Sequence, residues 1–222
     1  MSDTSAAPAA PTTIQTVSHI INAVPLGVQG FALTTFMLGM YTSGQFNAKG
    51  EVIVFVCAAF YGGLTQFIAG FFAAARGDMF PAVFMTAYGA FWMTFVGLNI
   101  YAAPKAGSAA GQMVTIYLCM WSCITFVFLV VTLWTNWIVF LVFLEFMATI
   151  IVLDFGSALN NASVTHAGGY LEMILAAAAW YVIGAEMINH TAGKELLPFP
   201  LMPLNPGYSP RGLVPIDTPS GS

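Results

Sequence analysis

Between Lys105 and Lys194 the sequence has no Lys or Arg, yet it carries four acids, Glu145, Asp154, Glu172 and Glu186. Carboxyl groups without basic partners in an apolar stretch suggest proton chemistry. An ionised carboxylate at the centre of a bilayer costs at least ~2.5 kcal/mol, so such a group should be protonated, paired or facing water. Glu145 lies near the middle of its apolar run and is a candidate for proton coupling. A place at a subunit interface, or a carboxylate reaching for the membrane surface, suits it equally. Phe146 points about 100° away from it on a helix, so the two cannot both face one pathway squarely. Glu186, Asn189 and His190 share one turn near the end of the last apolar run, where a cap, a loop contact or a proton site would use them. Asp154 and Glu172 are expected near the membrane interface. His166 falls in a polar break, as a loop hydrogen-bonder or a pH-sensitive group.

A second polar cluster opens the first apolar run: Asn22, Pro25, Leu26 and Gly27, followed by Gln29, Gly30 and Phe31. Asn22 can cap a helix, and Pro25 suits a first turn. A helix N-terminus at membrane depth has free N–H groups and a positive dipole end, so it attracts anions. Transporters use discontinuous helix starts in this way. Capping alone is the plainer account of the same residues. Gly27 and Gly30 would let either a small ligand or a neighbouring helix approach.

Other chemistries lack their residues. His19, His166 and His190 have no metal-ligand spacing with acids or cysteines. Cys57, Cys119 and Cys123 lie inside apolar runs and form no metal or disulfide pattern. There is no HExxH, no serine nucleophile elbow and no Gly-rich phosphate loop, so an intramembrane enzyme is a poor reading and no cofactor is implied. Five Lys/Arg residues, scattered singly, make no nucleic-acid footprint.

The elements that must position these groups are membrane spans. Of 222 residues, 59% are hydrophobic and 6% charged, with a mean hydropathy of +0.83. A soluble domain carries about 25% charged residues, so this chain cannot cover itself with a polar surface. Six apolar runs, at 24–43, 52–75, 79–102, 113–134, 137–158 and 168–190, each approach the ~20 residues a helix needs to cross a bilayer. The breaks fall at Lys49–Glu51, Arg76–Asp78, Pro104–Gly107, the uncharged Thr132–Asn136 flanked by Trp134 and Trp137, and Asn160–Gly169 with His166. Tryptophans at such a break suit an interfacial aromatic belt. The expected fold is an all-α integral membrane bundle over 21–194, between a flexible tail at 1–20 and a Pro-rich extended or disordered tail at 195–222. Ala58, Gly62, Gln66, Gly70 and Ala74 recur four apart on the second run, as do Ala82, Thr86, Ala90 and Thr94 on the third. Small residues so spaced let helices pack closely in lipid; a pathway-lining role is the sharper alternative for Gln66. Basic residues divide three to two between the two sides, which favours both termini in the cytoplasm.

The segment from Asn22 to Phe46, NAVPLGVQGFALTTFMLGMYTSGQF, resembles the signature of the acetate uptake transporter family, N-P-A-P-L-G-L followed by G-F or A-F. Further matches occur in order along the chain. Phe60-Tyr61-Gly62-Gly63 with Gln66, Ala69 and Gly70 resembles FYGG-x-x-Q-x-x-A-G, and Ala87 to Trp92 resembles SYG-x-FW. Asn161-Ala162 with His166 and Gly169 resembles the entry to helix six, and Gly184-Ala185-Glu186 with Asn189 resembles G-E-x-x-N. The departures are Ala23 for the first proline, Val24 for the alanine, and Phe at position 146 where bacterial relatives tend to have Leu.

The resemblance implies a six-helix protomer in a homohexamer, each protomer with its own pathway, most simply in the plasma membrane. It implies a hydrophobic constriction at Phe31, Tyr88 and Phe146, with the Asn22 signature (Pro25, Leu26, Gly27) at the pathway entrance. Asn161 belongs to the same set of motifs. Glu186 becomes the leading proton-coupling candidate, with Glu145 and His166 behind it. The implied substrate is acetate, with succinate or other short carboxylates possible, carried by symport or a channel-like route. A non-transporting role in acetate sensing, signalling or assembly is the alternative. The Tyr88 hydroxyl would be available to a carboxylate.

Overall fold

The computed structural model describes residues 20–202 and 204. Of the tails expected at 1–20 and 195–222, residues 1–19, 203 and 205–222 lie outside the described residues. Within them the regular structure is helical, apart from one antiparallel bridge between Asn136 and Leu201. The helices are α1 (Val24–Thr42), α2 (Val52–Cys57), α3 (Gln66–Ala75), α4 (Met79–Gly97), α5 (Ala103–Ala106), α6 (Ala110–Thr132), α7 (Trp137–Ala158) and α8 (Ala162–Ala192).

Among the described residues, five stretches are long and apolar enough to cross a membrane: Val24–Thr42, Ala48–Ala75, Met79–Thr132, Trp137–Ala158 and Ala162–Ala192. The third is a single helical run of 54 residues that covers two of the apolar runs of the sequence. It does not run straight. The Tyr88 hydroxyl lies 2.7 Å from the Thr125 hydroxyl, and the Tyr117 hydroxyl donates to the Phe91 carbonyl at 2.9 Å, so α4 and α6 lie side by side. The reversal occupies 98–109. Gly107 there takes φ +55°, ψ −121°, a backbone that side-chain-bearing residues rarely adopt. The break read at Pro104–Gly107 is therefore a reversal built from short helical turns.

The ends of the spans have local causes. The Asn136 side chain accepts from Val139 N at 2.9 Å and starts α7, which fixes the uncharged break between Trp134 and Trp137. Asn161 accepts from Ser163 N and Val164 N and starts α8. The helix thus begins six residues before the apolar run at 168, and His166 lies inside it instead of in a loop. For the same reason Glu172 sits ten residues, about 15 Å, into α8. It is 4% exposed, not at the interface as expected.

Two wide π-helical turns interrupt the spans, at Ala58–Thr65 and Leu98–Ala102. In the first, the Thr65 hydroxyl donates to the carbonyl of Phe60, five residues back, at 2.9 Å. The extra residue rotates the helix beyond it, and Gln66 enters the interior at 1% exposure. Such turns recur at functional sites.

The small-residue stripes meet as expected of close packing. A Cβ placed on Gly70 of α3 would lie 2.8 Å from Thr86 N and 3.0 Å from the Ala82 carbonyl of α4. Gly70→Leu should therefore force the two helices apart. We expect a loss of about 1–3 kcal/mol, the usual cost of overpacking, read as a lower melting temperature of the detergent-purified protein. An unchanged melting temperature would mean that this contact does not hold the helices.

Candidate functional site

The residues that bear chemistry converge on a cavity of about 510 Å³ at the end of the bundle where α1 begins and α8 finishes. Its floor is aromatic. Phe31 of α1, Tyr88 of α4 and Phe146 of α7 form a triangle, with ring centroids 6.3 Å apart for Phe31–Tyr88, 5.3 Å for Phe31–Phe146 and 4.9 Å for Tyr88–Phe146. These are contact distances for aromatic pairs, so the three rings touch and leave no passage among them. Phe31 and Tyr88 are buried, at 7% and 2% exposure.

The wall above the floor continues the aromatic theme. Phe80, Phe84 and Tyr88 recur every four residues on α4, and Phe143 and Phe146 are three apart on α7. Phe143 lies 5.7 Å from Phe80 and 5.6 Å from Phe84 between ring centroids. Phe80, Phe84 and Phe143 were not singled out in the sequence, although four-residue aromatic spacing from Phe80 to Tyr88 is a legible sign of one shared face.

The Tyr88 hydroxyl is already engaged. Thr125 donates to the Trp121 carbonyl at 2.7 Å, so its only proton is used and Tyr88 must donate to Thr125. The hydroxyl points between α4 and α6. A carboxylate would have to break this bond to receive that proton, so the ring, not the hydroxyl, is what Tyr88 presents to the cavity.

The mouth is polar. Asn22, Arg76, Asp78, Asn136 and Glu186 contribute to its lining. Arg76 Nε lies 3.2 Å from Asp78 Oδ2, with the arginine side chain 9% exposed. Asn22 links the first helix to the last. Its Oδ1 accepts from Val24 N at 3.1 Å, so its amide nitrogen faces the other way and donates to Glu186 Oε1. The residue at the cap position of α1 is Ala23, which bears no capping group; Asn22 serves from one position earlier. The positive end of α1 thus already has an acid beside it, the chain's own Glu186, and Arg76 and His190 lie within its electrostatic reach.

Of the residues expected at a pathway, Asn22, Phe31, Gln66, Tyr88, Phe146 and Glu186 line this cavity. The others lie elsewhere. Pro25 occupies the first turn of α1, and Leu26 is 50% exposed on the outer face. Gly27 and Gly30 serve helix contacts: a Cβ on Gly27 would lie 2.6 Å from Met85 Sδ, and one on Gly30 would strike the Tyr61 carbonyl. Glu145 is half-buried on the neighbouring face of α7. Asn161 and the exposed His166 sit at the opposite end of the bundle, where His166 packs on Gly44. Gln66 donates weakly to Met85 Sδ at 3.7 Å, and its Oε1 is buried without a partner.

Arg76 and Phe199, both in the lining, escaped the sequence reading. Arg76 stood only as a turn charge between two spans. Phe199 belongs to the Pro-rich segment read as a tail.

The chain has relatives among known proteins. The profile of the GPR1/FUN34/yaaH family matches residues 6–204. The succinate-acetate/proton symporter SatP of Escherichia coli (strain K12) is 31% identical over 184 residues, covering 82% of this chain and 96% of that protein. Acetate permease A of Emericella nidulans is 31% identical over 201 residues, 83% of this chain and 67% of the permease. A solved structure of the bacterial acetate channel SatP superposes with a TM-score of 0.74 at 31% identity, covering 81% of this chain and 98% of that one. The chain is an integral, multi-pass membrane protein, and the resemblance read from its motifs holds: it belongs to the GPR1/FUN34/yaaH family.

Proposed function

We propose that the protein carries acetate across its membrane, by a path that enters at the polar mouth, crosses the cavity and passes the Phe31–Tyr88–Phe146 constriction. The observation that carries this reading is the cavity itself, polar at its mouth and closed at its floor by three aromatic rings. A closed apolar floor blocks water and inorganic ions. A methyl-bearing acid of few atoms needs only a small displacement of the rings to pass. The names of the relatives, an acetate permease and an acetate channel among them, point the same way.

The charges at the mouth favour a coupled proton. Arg76 offers one positive charge, while Asp78 and Glu186 offer two negative ones if both are ionised. An acetate ion approaching that arrangement is repelled unless a carboxyl takes up a proton. Asn22 donates to one oxygen of Glu186, which leaves the other to hold a proton. Glu186 is therefore the coupling residue in this reading. Arg76 draws the carboxylate in. Succinate, which carries a second charge, would need a second proton or a second positive partner.

The 54-residue run of α4 to α6 would be about 81 Å long as one straight helix. That far exceeds the ~30 Å hydrocarbon core. In our reading the reversal at 98–109 turns it into two crossings, so that the chain crosses six times with both termini in the cytoplasm. The plasma membrane and the homohexamer are taken from the family resemblance.

Purified protein in liposomes should take up labelled acetate faster than protein-free vesicles, and an inward proton gradient should accelerate it. Uptake no faster than in protein-free vesicles, with or without the gradient, would sink the reading. Uptake indifferent to the gradient would leave a channel.

A further inference from the structure

Residues 194–202 form no helix, as their prolines suggest, but they are held to the bundle from Leu196 onward. Asn189, 2% exposed in α8, binds the start of the segment: its Oδ1 accepts from Leu196 N at 2.8 Å and Leu197 N at 2.9 Å, and its Nδ2 donates to the Leu197 carbonyl at 2.7 Å. The Tyr181 hydroxyl donates to the Pro198 carbonyl at 3.0 Å. Beyond it, Trp137 N donates to the Pro200 carbonyl at 3.0 Å, and Met202 N donates to the Thr135 carbonyl at 3.1 Å.

These bonds tie the segment to the end of α8 and to the turn between α6 and α7, across the side of the cavity mouth. Between the anchors at Pro198 and Pro200 stands Phe199, and Phe199 lines the cavity. Its backbone is doubly constrained. Its own N–H donates to Glu195 Oε1 at 2.9 Å, and the proline after it confines it to extended conformations. The backbone that carries the ring is thus held on both sides.

We propose that Phe199 is a size-determining residue at the mouth: its ring restricts which carboxylic acids enter the cavity, ahead of the constriction at the floor. This inference rests on the carboxylate-transport reading for its substrate class. The division of labour is physical. Arg76, Asp78 and Glu186 set the charge of the mouth, whereas Phe199 sets its width. Selection by length then begins before the substrate meets Phe31, Tyr88 and Phe146.

Two measurements on the full chain test it. In proteoliposomes, Phe199→Ala should raise the initial rate of butyrate uptake relative to acetate by about tenfold, the lower end of what a pocket gains by rejecting extra methylenes. Phe199→Trp should lower the same ratio. Leu196→Ala, in the same segment but outside the cavity lining, should leave it unchanged. The second measurement does not depend on transport. A cysteine placed at Val142, in the cavity wall, in a chain lacking Cys57, Cys119 and Cys123, reports access to thiol reagents. Phe199→Ala should speed its modification by a bulky reagent more than by a small one. Well-folded Phe199→Ala and Phe199→Trp proteins with an unaltered rate ratio and unaltered modification rates would overturn the proposal. If the parent protein carries no acetate, the transport reading fails and the modification rates alone decide whether Phe199 restricts the mouth.

Discussion

Replacing Phe146 by Ala should turn the constriction into a leak. Its ring closes the triangle with Phe31 and Tyr88 at 5.3 and 4.9 Å between centroids, and it comes from α7, opposite the α1 and α4 rings. Removing it opens the floor without breaking a hydrogen bond. If displacing the rings is the main barrier to a small acid, lowering it by about 1.4–2.7 kcal/mol raises the maximal acetate rate ten- to hundredfold. Protons and inorganic ions should pass too, because the apolar seal is gone. The measurement is labelled acetate uptake beside dissipation of an imposed pH gradient in the same vesicles. Truncating a buried Phe costs about 3–5 kcal/mol of stability, and Phe146 is only half-buried, so the variant should fold. Tyr88→Phe is the companion. It keeps the ring and removes only the bond to Thr125, so it should transport at nearly the parent rate, with a stability loss of about 1 kcal/mol. A folded Phe146→Ala protein that transports no faster and leaks no more would place the barrier elsewhere. A large loss of flux in Tyr88→Phe would show that the hydroxyl does reach the substrate.

Phe31 and Tyr88 were legible because they sit in motifs that carry their spacing; Phe146 lies in none of them and came only with the family resemblance, yet the three rings meet. Composition alone says only that the chain crosses membranes. The helices are apolar around their whole circumference, so no periodic polar face shows which side of α8 points inward. That is why Glu172 could be taken for an interfacial acid, and why Glu145 and Phe146 could be separated only by the angle between them. The starts of α7 and α8 were partly legible, since Asn136 and Asn161 are residue types that cap; a capping asparagine does not, however, reveal how far an apolar run extends behind it. Arg76 illustrates a different limit. A lone charge between two spans reads as a solvated turn, and only the three-dimensional path of the α3–α4 turn brings it over the cavity. Phe199 was hidden by its prolines. Proline removes a donor but keeps its carbonyl, and Pro198 and Pro200 both accept bonds from the bundle. A Pro-rich segment can thus lack helix and still be tied down, when the body of the protein supplies the donors.

Glu186→Gln should separate proton coupling from transport. Glutamine keeps a carbonyl oxygen where Glu186 accepts from Asn22, so the junction between α1 and α8 retains its bond and the cavity its shape. What is lost is a group that can alternate between charged and neutral. An inward gradient of one pH unit is worth about 1.4 kcal/mol per proton, a factor of ten in the ratio it can sustain. In the parent protein such a gradient should stimulate the initial rate of acetate uptake above the protein-free background. In Glu186→Gln the stimulation should vanish while gradient-free uptake persists. Asn22→Ala provides the contrast. It removes the amide that holds Glu186 and the support of Val24 N, yet leaves the carboxyl in place, so stability should fall while the gradient still stimulates uptake. The two variants must therefore move different readouts. If Glu186 served only to join α1 to α8, Asn22→Ala would be the more damaging change and Glu186→Gln would keep its response to the gradient. That outcome would shift the search for the proton carrier to Glu172, the acid that α8 does bury.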